Sequence, residues 1–323
     1  MAIINMVQAI NLALKQEMER DPSVIILGED VGKDGGVFRV TEGLWQKFGD
    51  SRVIDTPLAE SGIVGISLGL AVSGMKPVAE IQFDGFSYPA LDQLINHVSK
   101  IRNRSRGRFH AQMVVRFPYG GGIRALEHHS ESPEAHYCHT PGLKVVVPSN
   151  PYDAKGLLVS SIRDGDPVIF MEPKKVYRAI KAEVPEKEYT IPLGQAKVVQ
   201  TGDQITIISW GSMTKTVLDS IQKVPEVSIE VVDLRTLSPL DDKTIIDSVK
   251  KTGKAIVVQE APRNCSFSSE IVARINEKAF LNLEAPVVRV TGFDTAIPLP
   301  KLENYYLPNE NRILNAINYV NSF

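Results

Sequence analysis

Glu60 is the side chain best suited to chemistry. It follows Ile54-Asp55-Thr56-Pro57-Leu58-Ala59, and it is the only charge between Asp55 and Lys76. The run behind it, Gly62 to Gly74, is apolar and glycine-spaced. If that run is a buried helix, Glu60 stands at its first turn. A partly dry carboxyl holds a proton more readily than one in water. Such tuning suits proton exchange with a bound ligand. The plainer alternative is a carboxylate that favours a helix N-terminus through the macrodipole. A second cluster lies downstream: four of the six histidines fall between His128 and His139. Zinc is an obvious suspicion there, with His136, Cys138 and His139 as further ligands. The spacing fits no finger and no HExxH helix. A histidine acting as acid, base or charge stabiliser fits better, because its ordinary pKa lies near neutrality. Two glycine-rich loops complete the set. Gly32-Lys33-Asp34-Gly35-Gly36 matches neither the P-loop nor GxGxxG and reads as a turn. Pro118-Tyr119-Gly120-Gly121-Gly122 must be mobile or must lie close against something.

The elements that would carry these residues alternate strand and helix. Asn5 caps a helix in which Met6, Ile10 and Leu14 share a face. Val24–Leu27 and Val53-Ile54 read as strands, with Trp45 and Phe48 packing a short helix between them. The helix after Glu60 carries Gly62, Gly65 and Gly69, each costing about 1 kcal/mol against alanine. Close approach of another helix, from this chain or from a partner subunit, would offset that. Val78–Phe83 is the next strand, Asp92–Lys100 a helix, then Gln112–Arg116, Lys144–Val147 and Val168–Met171 strands. Asn150 and Pro151 open a helix as cap and first residue. This alternation predicts a parallel sheet covered on both faces. Lys174–Gly194, rich in Lys and Glu and punctuated by proline, reads as a linker. Beyond it the alternation resumes, from Ile205–Ser209 to Val287–Val290.

The totals are those of an ordinary globular chain: 323 residues, 43% hydrophobic, 23% charged, net charge −2. Lys100, Arg102, Arg104, Arg106 and Arg108 alternate, but no interleaved aromatics accompany them, so a nucleic-acid partner is not expected. The two cysteines, Cys138 and Cys265, form no CxxC pair and fit a reducing compartment. The apolar run Ile63–Gly74 is too short to cross a bilayer, which needs about 20 residues. The expected location is cytoplasmic, or the mitochondrial matrix if a transit peptide has been removed.

Taken in order, the motifs resemble a family. They are Thr56-Pro57-Leu58-Ala59-Glu60, Gln82-Phe83-Asp84-Gly85-Phe86, His128-His129-Ser130-Glu131-Ser132-Pro133-Glu134, and Cys138-His139-Thr140-Pro141-Gly142-Leu143-Lys144. Ile207–Gly211, Val231–Thr236 and Glu260-Ala261-Pro262 follow. Together they are similar to the beta subunit of the thiamine-diphosphate-dependent, decarboxylating component of 2-oxoacid dehydrogenases. Glu172–Gly194 and Phe280–Thr295 look most like the branched-chain members, with pyruvate relatives next and acetoin-cleaving systems a further alternative. A non-catalytic docking subunit is disfavoured by the presence of both Glu60 and His129.

The resemblance implies two layered α/β domains with mainly parallel sheets: a pyrimidine-binding domain over 1–185, a linker over 186–198 and a transketolase C-terminal-type domain over 199–323. It implies two alpha and two beta chains, with the cofactor between an alpha and a beta. It puts Glu60 against the ring nitrogen of the aminopyrimidine, Phe86 on the face of that ring, and Gln82 among the cofactor-binding residues. His129 faces the reacting thiazolium end. A 2-oxo acid is decarboxylated and its acyl group passes to the lipoyl group of an acyltransferase core. The diphosphate-binding GDG sequence of the family is missing here, so the alpha chain is expected to hold the diphosphate and Mg2+. His128 stands where many relatives carry Tyr or Gln. A potassium ion, as in some relatives, would lie near Met113, Ser161, Ile162, Asp164 and Asp166.

Overall fold

A computed structural model describes residues 1–323. The N-terminal half runs β1 (Ala2–Asn5), α1 (Met6–Arg20), β2 (Val24–Gly28), α2 (Leu44–Phe48), β3 (Val53–Asp55), α3 (Glu60–Val72), β4 (Lys76–Glu80), α4 (Leu91–Asn96), α5 (Ile101–Arg104), β5 (Val114–Tyr119), α6 (Glu134–Cys138), β6 (Lys144–Val146), α7 (Pro151–Arg163), β7 (Val168–Pro173) and β8 (Lys181–Val184). The C-terminal half runs β9 (Lys197–Gln200), β10 (Ile205–Ser209), α8 (Ser212–Ile221), β11 (Ile229–Asp233), β12 (Thr236–Ser238), α9 (Asp242–Thr252), β13 (Ala255–Val258), α10 (Phe267–Ala279), β14 (Val288–Val290), α11 (Glu303–Tyr306) and α12 (Glu310–Asn321).

Strands β2, β5 and β7 are buried along their whole length, as strands covered on both faces must be. They belong to a seven-stranded sheet of order β12-β6-β7-β5-β4-β2-β3, parallel except at β12. The second sheet has order β14-β13-β10-β11-β9, with β9 antiparallel at the edge. No helix is long and apolar enough to cross a membrane.

Helix α1 starts where Asn5 and Gln8 form a reciprocal capping box. Its apolar side, with Met6, Ile10, Leu14 and Met18, packs with Leu157, Leu158 and Ile162 of α7 in one buried cluster. Glu17, on that buried side, is held by Arg163 at 2.6 Å. The two halves are joined by more than a chain crossing. Strand β12 comes from the C-terminal half but pairs with β6 in the first sheet. Beside it Arg235 grips Asp153 of α7 through two hydrogen bonds of 2.5 and 3.0 Å.

Lys174–Gly194 is not a free linker. Lys174 is buried, and β8 pairs antiparallel with β1. The next residues lie along α7: the Lys155 ammonium donates to the carbonyls of Pro185 (2.5 Å) and Lys187 (2.9 Å), and Ser160 donates to that of Ile191 (2.6 Å). A proline- and charge-rich composition reads as a linker; the Lys155 ammonium and the Ser160 hydroxyl supply donors that keep it packed. The helix expected over Asp92–Lys100 also breaks. It stops at Asn96, gives a 3-10 turn at Val98–Lys100 and restarts as α5. The strand expected to reach Phe83 ends at Glu80, so Gln82 and Phe83 lie in the segment that follows.

Candidate active site

The site is built where β3, β4, β5 and β7 end. Glu60 is the first residue of α3, 9% exposed, and Ala59 before it offers no side-chain cap. A carboxylate in that first turn faces the free N–H groups of the helix. Glu29 stands nearby; burial raises its carboxyl pKa, and Asp30 and Glu60 push in the same direction. Gln82, just beyond β4, donates to Asp30 at 2.9 Å.

After Gln82 the chain turns through a 3-10 helix, Asp84–Ala90, that carries Phe86. The His128-His129 turn packs onto it. The His129 ring lies 4.2 Å from the Phe83 ring and 5.0 Å from that of Phe86. His128 lies 5.7 Å from Phe86. The two segments approach so closely that a Cβ on Gly85 would lie 2.0 Å from the His128 carbonyl oxygen. The Nδ1 atom of His129 is buried without a hydrogen-bond partner. Burial lowers its pKa, with His128 and then Lys174 adding to the effect. An imidazole whose neutral form is favoured, fixed on an aromatic wall, can take or give a proton to a ligand that reaches its ring.

Several supporting residues were not singled out from the sequence. Phe83 is the hub of the wall: Phe38 and Phe86 also meet its ring edgewise, and the Lys174 ammonium lies 5.5 Å above it. Asp84 pairs with Lys174 at 2.6 Å and accepts from the Glu131 N–H at 2.6 Å. Burial raises its carboxyl to about 6 despite the lysine. Beneath, the buried Arg116 guanidinium holds Glu172 at 2.6 and 2.8 Å and also bonds Glu80. Burial raises the Glu80 carboxyl against the pull of Arg116. Glu134 keeps one oxygen unpartnered, and burial raises it to about 8. The available signal was a charged residue inside an otherwise apolar strand, as at Arg116 and Glu172. That signal shows a partner is needed without saying which.

The histidine cluster does not form a metal shell. No three His, Cys, Asp or Glu side chains converge on one point. His136 instead meets Tyr88 edgewise at 6.1 Å. The five residues expected near a potassium ion do gather at the end of α7. Their side chains are engaged, Asp164 by Lys144 at 2.7 Å and Asp166 by Arg102 at 2.6 Å. The Ile162 carbonyl accepts from Gln112 and that of Met113 from Val168. Each carbonyl retains a second lone pair, whereas both carboxylates are already paired.

The model of the family described as "Transketolase, pyrimidine binding domain" matches residues 2–180, and that described as "Transketolase, C-terminal domain" matches 194–313. A pyruvate dehydrogenase E1 component subunit beta from Acholeplasma laidlawii is 54% identical over 315 residues, 97% of this chain and 96% of that one. A protein of the same description from Bacillus subtilis (strain 168) is 50% identical over 325 residues, covering both chains fully. Among solved structures, one titled "Split gene transketolase, inactive beta4 tetramer" superposes with a TM-score of 0.79 across 99% of both chains. At 20% identity that likeness carries the fold alone.

Proposed function

The chain belongs to the transketolase-like E1 beta subunits of 2-oxoacid dehydrogenases, and from that premise we propose that it works with an alpha chain on pyruvate. It is one component of a thiamine-diphosphate-dependent oxidoreductase. The branched-chain preference suggested by Glu172–Gly194 and Phe280–Thr295 is set aside, because the relatives reported above are pyruvate enzymes at 50% identity or more over nearly the whole chain. The partners in this reading are an alpha chain, in a heterotetramer of two alpha and two beta, and a lipoyl-bearing acyltransferase core.

Bound thiamine diphosphate would supply the electron sink for decarboxylation. From the first turn of α3, Glu60 would donate a hydrogen bond or proton to the pyrimidine ring nitrogen of that group. Its buried place at the start of that helix, beside Glu29, supports that role. Phe86 offers an apolar face to the ring, and Gln82, anchored by Asp30, helps to bind it. His129 stabilises charge or moves a proton at the reacting end. The observation that carries the reading is His129 itself: a ring fixed on Phe83 and Phe86, with Nδ1 bonded to nothing in the chain. The alpha chain supplies the diphosphate and Mg2+ ligands. A potassium ion, where bound, takes the main-chain oxygens around Met113, Ser161 and Ile162, near Asp164 and Asp166.

Co-expression with the alpha chain tests this directly. Turnover of pyruvate should exceed that of branched 2-oxo acids in kcat/KM; the reverse order sinks the substrate reading. Glu60→Gln should lower decarboxylation by about 10²–10⁴-fold. An unchanged rate removes Glu60 from the mechanism.

A further inference from the structure

We infer that two carboxylates of the C-terminal half, Glu303 and Glu260, are positioning residues for His129. This goes beyond the reading of His129 given above and rests on it. The loop that bears His129 leaves β5 at Gly120 and is closed at its neck by the Gly120 N–H donating to the Glu131 carbonyl at 2.8 Å. Within the loop, three further main-chain N–H groups point at the C-terminal half. Gly121 donates to Glu260 Oε2 at 2.9 Å. Gly122 donates to Glu303 Oε1 at 2.9 Å. Arg124 donates to both Glu303 oxygens, at 3.3 and 3.2 Å. Two residues later the chain enters the turn in which the His129 N–H bonds the Leu126 carbonyl.

Local preference alone would not hold this path. Arg124 has φ of +58°, in the left-handed region that side chains other than glycine seldom adopt. Gly120 and Gly122 lie in the same region, at +78° and +100°. The space between Ser130–Pro133 and the C-terminal half is a cavity of 230 Å³, bounded also by Glu260 and Tyr306. What crosses that boundary is charge-assisted hydrogen bonding, stronger than its neutral equivalent. Both carboxylates are buried, Glu303 at 2% and Glu260 at 5% exposure. Gly120 and Gly121 have no room for a side chain: a Cβ on Gly120 would lie 2.6 Å from Glu260 Oε2, and one on Gly121 2.9 Å from Leu307. The C-terminal half therefore sets the height at which His129 stands over the aromatic wall.

Glu303→Gln, Glu303→Ala and His129→Gln would be made in the alpha–beta heterotetramer, singly and combined. Main-chain hydrogen exchange over residues 120–134 is followed beside kcat and KM for pyruvate. Glu303→Gln keeps shape and volume but weakens the clamp. It should speed exchange in that segment and lower kcat by about ten- to a hundredfold, with KM little changed. Added to His129→Gln, it should cost nothing further, because its effect runs through that side chain. The inference is overturned if both Glu303 variants keep parental kcat. It is also overturned if the loss is as large in the His129→Gln background as in the parent. Should Glu303→Ala not assemble, the Gln variant decides. If His129→Gln itself turns over normally, the role of His129 fails and this inference fails with it. If His129→Gln is impaired and Glu303→Gln is not, only the inference fails.

Discussion

Asp84 and Lys174 form an ion pair with no solvent exposure on either side chain, Oδ1 to Nζ 2.6 Å. The pair joins the end of β7 to the turn that carries Phe86, and the second oxygen of Asp84 takes the Glu131 N–H. One carboxylate thus ties three segments of the site together. Removing one member strands the other charge in the core, which costs about 3–5 kcal/mol. Lys174→Met should therefore lower the unfolding free energy by that order in chemical denaturation of the isolated chain. Lys174→Met with Asp84→Asn should recover part of it. A single variant as stable as the parent would show that the pair is dispensable.

Glu134 gives a pH signature. Burial holds its carboxyl at about 8 against an ordinary 4.5, so the folded chain keeps a proton that the unfolded chain has released. That contribution to stability is fully present below about 4.5 and is lost as pH rises through about 8, at no more than about 1.4 kcal/mol per pH unit. Glu134→Gln removes the titration while keeping the acceptor for Trp210, 3.3 Å away. Melting temperatures measured from pH 5 to 8 should fall less steeply in the variant. Parallel curves would mean that Glu134 is already ionised in the folded chain.

Gly85 tests the meeting of the two loops. Its φ is not in the left-handed region, so the constraint is space alone: a new Cβ would lie 2.0 Å from the His128 carbonyl oxygen and 3.0 Å from the His128 Cβ. Gly85→Ala must push the histidine turn off Phe86. A displacement of about 1 Å at a reacting group can cost about 10²-fold. Turnover in the heterotetramer should fall on that scale, with overproduction and secondary structure retained. Full activity would mean that the turn tolerates the shift and His129 is not held by this contact.

Much of the architecture was legible because each signal was local. Asn5 and Asn150 cap helices as their types suggest, and the apolar runs at β2 and β7 became buried parallel strands. Phe86 and His129 were picked out through the family resemblance of their motifs, and the fold packs the two rings 5.0 Å apart. Phe83, Lys174 and Glu303 were not picked out. Lys174 lies 90 residues from Asp84, and Glu303 lies 181 from Gly122. No periodicity along the chain encodes such pairings; they exist only once the sheet and the second half are assembled. The same reason hid the packed state of 185–191, where composition was read and the donor on Lys155 was not.

The glycines of α3 separate what the chain does alone from what it does in company. Gly69 has no atom within 4 Å of an added Cβ, Gly62 meets only Ala59 of its own chain, and Gly65 only the Gln93 side chain. Ile66, on the same face, is 59% exposed. Within one chain no backbone approaches these three glycines, and the helix is less stable for carrying them. Gly69→Ala should stabilise the isolated beta chain by up to about 1 kcal/mol, the helix-propensity difference. The bulkier Gly69→Leu should leave that chain folded. In the presence of the alpha chain, the Leu variant should no longer form the heterotetramer in native mass spectrometry, because the face that a partner backbone approaches would be filled. Normal assembly of the Leu variant would mean that α3 meets solvent in the complex and that its glycines serve some other end.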